Sequence, residues 1–192
     1  MPPAWQYSTT PVEYKSARIF ELHFDSPHRN ICYAWNFLRV GRILPNETLI
    51  EGYLASSTGE KYKALLGGAF DNIDRLAGEI CASVPQYTDY DGPARGRLPI
   101  TESGTLELGP GVGHSHTLHH QAECYSLIWP LYAAGRSKAR LDVRPWVIKQ
   151  LRYIGNHFCI RNAEFISQIL EGETDVCPWD VYAMLGSYAF NA

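Results

Sequence analysis

Ile31 to Glu51, ICYAWNFLRVGRILPNETLIE, is the longest run in the chain that reads as one helix. Ile31, Cys32, Ala34, Trp35, Phe37, Leu38, Val40, Ile43 and Leu44 fall on nearly every face rather than on one stripe. A helix apolar on most sides is expected to be buried on most sides. Asn36, Arg39, Arg42 and Glu47 interrupt that surface, and Arg39 and Arg42 are expected to share a face. Buried guanidinium groups need acceptors, because an unpaired buried charge is costly. The plain reading is structural ion pairing, and the sharper one is an anion or ligand site inside a helical domain. Pro45 would clash with the Gly41 carbonyl, so a kink is expected there. Ahead of the run, Ser26 suits an N-cap and Pro27 the first helical position.

Working outward, 60–84 is a second, amphipathic helix in which Leu65, Leu66, Phe70, Ile73, Leu76, Ala77, Ile80, Cys81 and Val84 recur at three- and four-residue intervals as the apolar face, ended by Pro85. Residues 86–116 are rich in Gly, Pro, Ser and Thr and read as a long loop, in which LPITESGTLEL could form a short ribbon. A third helix starts near Thr117, carries Pro130 inside it as a second kink, and closes at Gly135. A fourth covers 142–156, with Asp142 as its cap, Val147, Leu151 and Ile154 on one face and Gly155 as its end; a fifth covers 159–171 with Phe165, Ile166, Ile169 and Leu170 inward; Cys177-Pro178 opens the last. Residues 1–26 read as an aromatic arm packing on the bundle, with a partial strand-like alternation over 18–25. The expectation is one all-α domain over 27–192, an irregular bundle of about six helices with kinked buried members.

Composition narrows the function. The 192 residues are 45% hydrophobic and 19% charged with net charge −3, which is globular and lacks the basic runs that grip phosphates. Direct nucleic-acid binding is therefore not expected. MPPAWQYSTT lacks the layout of a signal peptide, and no apolar stretch approaches the ~20 residues of a membrane span. Five scattered cysteines in apolar contexts read as reduced core residues of an intracellular protein, nuclear or cytoplasmic.

Several residues invite chemistry. His114, His116, His119 and His120 crowd seven positions, and His116, His120 and Glu123 have the spacing of metal ligands on one helix face. The simpler reading is a His-rich polar loop with no metal, and no cofactor is expected. His23, Asp25 and His28 could form an acid–base group, although a polar lead-in to the helix explains them too. Trp129, Tyr132, Trp146 and Trp179 read first as core aromatics. As a ligand site, the set is Trp35, Arg39, Arg42, Trp129 and Tyr132; as a catalytic set, it is His23, Asp25, Arg39 and Tyr132.

The run AWNFLRVGRILPNE (34–47) resembles the WN-x-x-R-x-x-RILL-NE segment of fungal zinc-cluster transcription factors, in their helical fungal-specific transcription factor domain. IDRLAGEICASVPQY, YSLIWPLYAAG, RPWVIKQLRYIGNHFCIRNAEFISQIL, PWDVYAMLGSYAF and the opening PAWQYSTT are similar to further blocks of that region, in order. The likeness covers nearly all of the chain except 88–116. It implies a regulatory protein of a fungal metabolic gene cluster, with a protein partner or a small effector and a homodimer among its assemblies. Two departures stand out: there is no C-x-x-C pair, hence no zinc-cluster DNA reader, and Pro45 replaces a leucine. The alternative is a small secondary-metabolism enzyme, a cyclase, isomerase or dehydratase, on the same helical fold.

Overall fold

The computed structural model describes residues 8–11, 22–25, 29–55, 62–88, 118–137, 142–172 and 176–189. Among them the protein is an all-α bundle with one small ribbon: β1 (Ser8–Pro11), β2 (Leu22–Asp25), α1 (Arg29–Ala55), α2 (Lys63–Ser83), α3 (Pro85–Thr88), α4 (Leu118–Tyr125), α5 (Ile128–Arg136), α6 (Val143–His157), α7 (Arg161–Glu171) and α8 (Pro178–Ala189). Two of the breaks are proline breaks. Pro85 has no N–H to give the Cys81 carbonyl, so the chain turns at Val84 and α3 starts afresh. Pro130 likewise cannot bond the Ser126 carbonyl, and the helix expected over 117–135 splits at Ser126–Leu127 into α4 and α5. Counting each broken pair as one rod leaves six rods, the number the periodicity suggests. Pro45 does not break α1, which runs through it on the exposed side of the helix.

One buried apolar cluster draws on all eight helices. α5 is its centre: every residue from Ile128 to Gly135 is buried, and α1, α2, α6, α7 and α8 all pack on it. Gly135, expected to close the helix, instead lies inside α5. A Cβ there would stand 2.9 Å from Val147 Cγ1 and 3.1 Å from Leu170 Cδ1, so its smallness lets α6 and α7 approach. α1 and α2 run antiparallel, as the contacts Asn36–Ser83 and Arg39–Glu79 fix. Arg136 Nη1 reaches Glu47 Oε2 at 2.5 Å and ties the end of α5 to α1. Asp142 stands at the N-cap position of α6 but makes no side-chain cap bond.

Gly155 does not end α6 either. The helix continues to His157, and the left-handed residue is Cys159, at φ 57°. The Ile160 N–H bonds the Gly155 carbonyl at 3.1 Å, which closes a Schellman turn around Cys159. Gly155 serves the helix contact instead, because a Cβ there would lie 3.1 Å from the backbone nitrogen of Glu164. Its lack of a side chain lets α6 and α7 touch closely. α7 starts at Arg161 rather than 159, and Phe165, expected inward, is exposed because the buried face of the helix is set by Ala163, Ile166, Ser167 and Leu170.

β1 and β2 pair antiparallel, Ser8 opposite Asp25 and Pro11 opposite Leu22, and β2 lies against α2 and α3. Of the expected loop, 86–88 belong to α3. The rest of it, the ribbon expected at LPITESGTLEL, and the cap and proline at 26–27 lie outside the described residues.

On α2, Leu65 and Phe70 are exposed although expected on the apolar face, since burial of that helix starts at Ala69 and follows Ile73, Leu76, Ala77 and Ile80; burial of α1 differs further from expectation. Val40 and Ile43 are fully buried, but Tyr33, Phe37, Leu38 and Leu49 are exposed. The apolar surface of α1 wraps further than its neighbours do.

Candidate functional site

The α1–α2 contact holds a buried polar clamp. Arg39, 3% exposed, donates from Nε to Glu79 Oε2 at 3.0 Å and from Nη1 to Asn36 Oδ1 at 2.9 Å. Asn36 Nδ2 donates to Ser83 Oγ at 2.9 Å, and Ser83 Oγ–H reaches the Ile80 carbonyl at 2.7 Å. Glu79 also accepts from Arg75, and the Arg39 guanidinium lies 5.9 Å from the Trp35 ring centroid. Burial pushes the Cys32 thiol up; hydrogen bonding with Tyr87, the Arg39 charge and hydrogen bonding with Ser83 and Gln86 pull it partly back. The arginine pair expected on one face is divided: Arg39 is in the clamp and Arg42 is exposed. A rotation of about 60° between residues three apart is enough to carry Arg42 past the edge of the buried arc.

The other sequence candidates are dispersed. Tyr132 is fully buried and its hydroxyl donates to the Val176 carbonyl at 2.6 Å, joining α5 to the chain just before α8. Trp129 Nε1–H donates to the Pro178 carbonyl at 2.9 Å. His120 is buried, and its Nε2 sits 2.7 Å from the Tyr87 carbonyl oxygen. A carbonyl only accepts, so that nitrogen carries the proton and is no metal ligand in this geometry. The ring packs edge-on to Phe158 at 5.0 Å, making His120 a tether between α3, α4 and the end of α6. His116 lies outside the described residues, and among those described no group of three or more His, Cys, Asp or Glu is placed to hold a metal. On the ribbon, His23 stands opposite Thr10 and Asp25 opposite Ser8. Cys32, Cys81 and Cys124 are buried as expected, whereas Cys159 and Cys177 are exposed.

What sequence reasoning missed is an aromatic ledge where α1, α5 and α8 meet. Trp129 is its buried floor. Phe37 lies 5.3 Å from the Trp129 ring, Tyr182 4.7 Å and Trp179 5.6 Å, centroid to centroid. Tyr182 closes edge-on to Phe37 at 6.3 Å, and Tyr33 extends the row at 6.5 Å from Phe37. These separations are those of rings in mutual contact, so the ledge is a continuous surface and not a cage around a void. It is also open: Trp179 is 53% exposed, Tyr33 44% and Tyr182 42%. Trp179, expected in the core, is thus a surface residue. A signal was present: Tyr33 and Phe37 are four apart and Trp179 and Tyr182 three apart, each pair on one helical face.

The class the fold defines is a helical bundle with a surface ledge. Compared with family models, curated proteins and solved structures, the chain matches none. Among the described residues no helix is long and apolar enough to cross a membrane.

Proposed function

We propose that this chain is a regulatory domain of the fungal transcription-factor type, working in the nucleus on a metabolic gene cluster. It binds a partner protein, and the partner, not this stretch, reads DNA. The observation that carries the reading is the aromatic ledge. Tyr and Trp concentrate at protein interfaces, where a rigid ring supplies large contact area at small entropic cost. Because the rings of the ledge touch one another, it suits a broad macromolecular surface better than an enclosed small effector. The α1–α2 clamp is consistent with the same reading, since it ties α1, which carries Tyr33 and Phe37, to its neighbour and so helps position them. The ordered blocks of resemblance, from AWNFLRVGRILPNE to PWDVYAMLGSYAF, supply the transcription-factor context.

The enzymatic alternative draws little from these atoms. Arg39, Tyr132 and His120 each spend polar atoms on partners within the protein. The test is a reporter assay in a filamentous fungus, with the chain fused to a heterologous DNA-binding module. A change in reporter output over the module alone supports regulation. Output equal to the module alone counts against it.

A further inference from the structure

We infer that the start of α2, residues 63–68, is a helix–coil switch: it unwinds about Gly67 and Gly68 while the rest of α2 stays docked. The two parts of the helix are held very differently. From Ala69 onward the inner face is buried at Ala69, Ile73, Leu76, Ala77, Ile80 and Cys81, and Asn36 and Arg39 grip Ser83 and Glu79. Before Ala69 no residue of α2 is buried. Leu65 is 57% exposed, and Leu66 packs on the core only partly covered. Among the described residues, none of 63–68 makes a side-chain hydrogen bond or ion pair.

Local chemistry weakens the same stretch. Gly67 and Gly68 stand side by side inside the helix, where glycine gives up more backbone freedom than any other residue. Packing does not call for them: a Cβ at either would meet nothing within 4 Å, in contrast to Gly135 and Gly155. Tyr62, at the N-cap position, makes no side-chain cap bond. The first turn holds no acidic residue and begins with Lys63, whose charge opposes the positive end of the helix dipole. So short a helical stretch, with neither cap nor burial, is not stable by itself. Joined to a packed core, it opens locally without unfolding the whole. α1 does not share the weakness, because Arg136 of α5 reaches both Glu47 and Glu51. The motion therefore belongs to α2 alone, and the bundle gains one segment that winds and unwinds while the clamp stays fixed. This inference is independent of the reading under Proposed function.

The experiment is amide hydrogen exchange of the full chain, resolved by residue. In an α-helix the amides of 67–72 bond the carbonyls of 63–68, so they report the unwinding. They are expected to exchange at least about 100-fold faster than those of Leu76, Ala77, Ile80 and Cys81. Low urea is expected to speed the second group and leave the first unchanged, since local opening exposes little surface. The double substitution Gly67→Ala, Gly68→Ala is expected to slow exchange at 67–72 by about 30-fold. Arg39→Met, which breaks the clamp, is expected to speed exchange at Ile80 and Cys81 by about 100-fold and leave 67–72 unchanged. Equal protection and equal urea dependence along all of α2 overturn the inference, because the helix would then open as one unit. Exchange at 67–72 that ignores the glycine substitutions overturns it as well. The urea series needs only the parent protein, so the test stands if a variant folds poorly.

Discussion

Replacing Arg39 by methionine tests whether the clamp between α1 and α2 holds the bundle together. The substitution keeps most of the side-chain volume and removes the charge and donors. It leaves Glu79 Oε2 and Asn36 Oδ1 without the bonds now at 3.0 and 2.9 Å. Breaking a buried pair by removing one partner costs about 3–5 kcal/mol. Glu79 is 20% exposed in its side chain and keeps Arg75, so the lower end applies, about 3 kcal/mol. For a domain of this size that lowers Tm by about 6–12 °C, at about 2–4 °C per kcal/mol. Urea unfolding followed by circular dichroism gives the free energy directly. The double substitution Arg39→Met, Glu79→Leu removes both charges. It is expected to recover a large part of the loss, since an ion pair and a well-packed apolar pair are often similar in stability. A loss below about 1 kcal/mol for Arg39→Met, the range of exposed pairs, would refute the assignment of Arg39 as a buried structural charge.

Other substitutions test the turns and the buried thiol. Cys159→Gly relieves a left-handed residue that costs about 1–2 kcal/mol, so the midpoint of urea unfolding should rise by the corresponding amount. Gly155→Ala places a methyl 3.1 Å from the Glu164 backbone, and overpacking of this kind should lower stability by about 1–3 kcal/mol in the same assay. The folded Cys32 thiol is raised relative to the unfolded chain, so its contribution is complete below about pH 8.5 and declines as pH climbs toward the folded value. The unfolding free energy of Cys32→Ala should therefore fall less steeply above about pH 8.5 than that of the parent, measured as parallel urea titrations across pH.

Much of the fold is legible in the sequence because helix formation and proline breaks are local. The spacing of Ile73, Leu76, Ala77 and Ile80 gives α2 and its inner face, and Pro85 gives its end. Pro130 announces a disturbance, although periodicity cannot say that it separates α4 from α5. The turn after α6 is harder. Glycine is the usual left-handed residue, but Gly155 is needed for contact with α7, and the strained position falls to Cys159. Only the tertiary packing distinguishes those uses.

The site is less legible for a related reason. Arg39 and Arg42 look equivalent along the chain, and the edge of the α1–α2 contact separates them. Trp129 and Trp179 both look like core aromatics; one is the floor of the ledge and the other lies open on it. An apolar residue in sequence does not reveal whether a neighbour exists to cover it. On α1 the apolar residues Tyr33, Phe37, Leu38 and Leu49 lie outside the arc that holds Val40 and Ile43, and exposed apolar residues gathered on one face mark an interaction surface.

The most direct measurement is reporter output from the tethered chain carrying Trp179→Ala and Tyr182→Ala, with Tm recorded on the same protein. Both side chains are about half exposed, so folding should survive while output falls to that of the DNA-binding module alone. Undiminished output from a folded double variant would contradict the claim that the ledge is the regulatory surface.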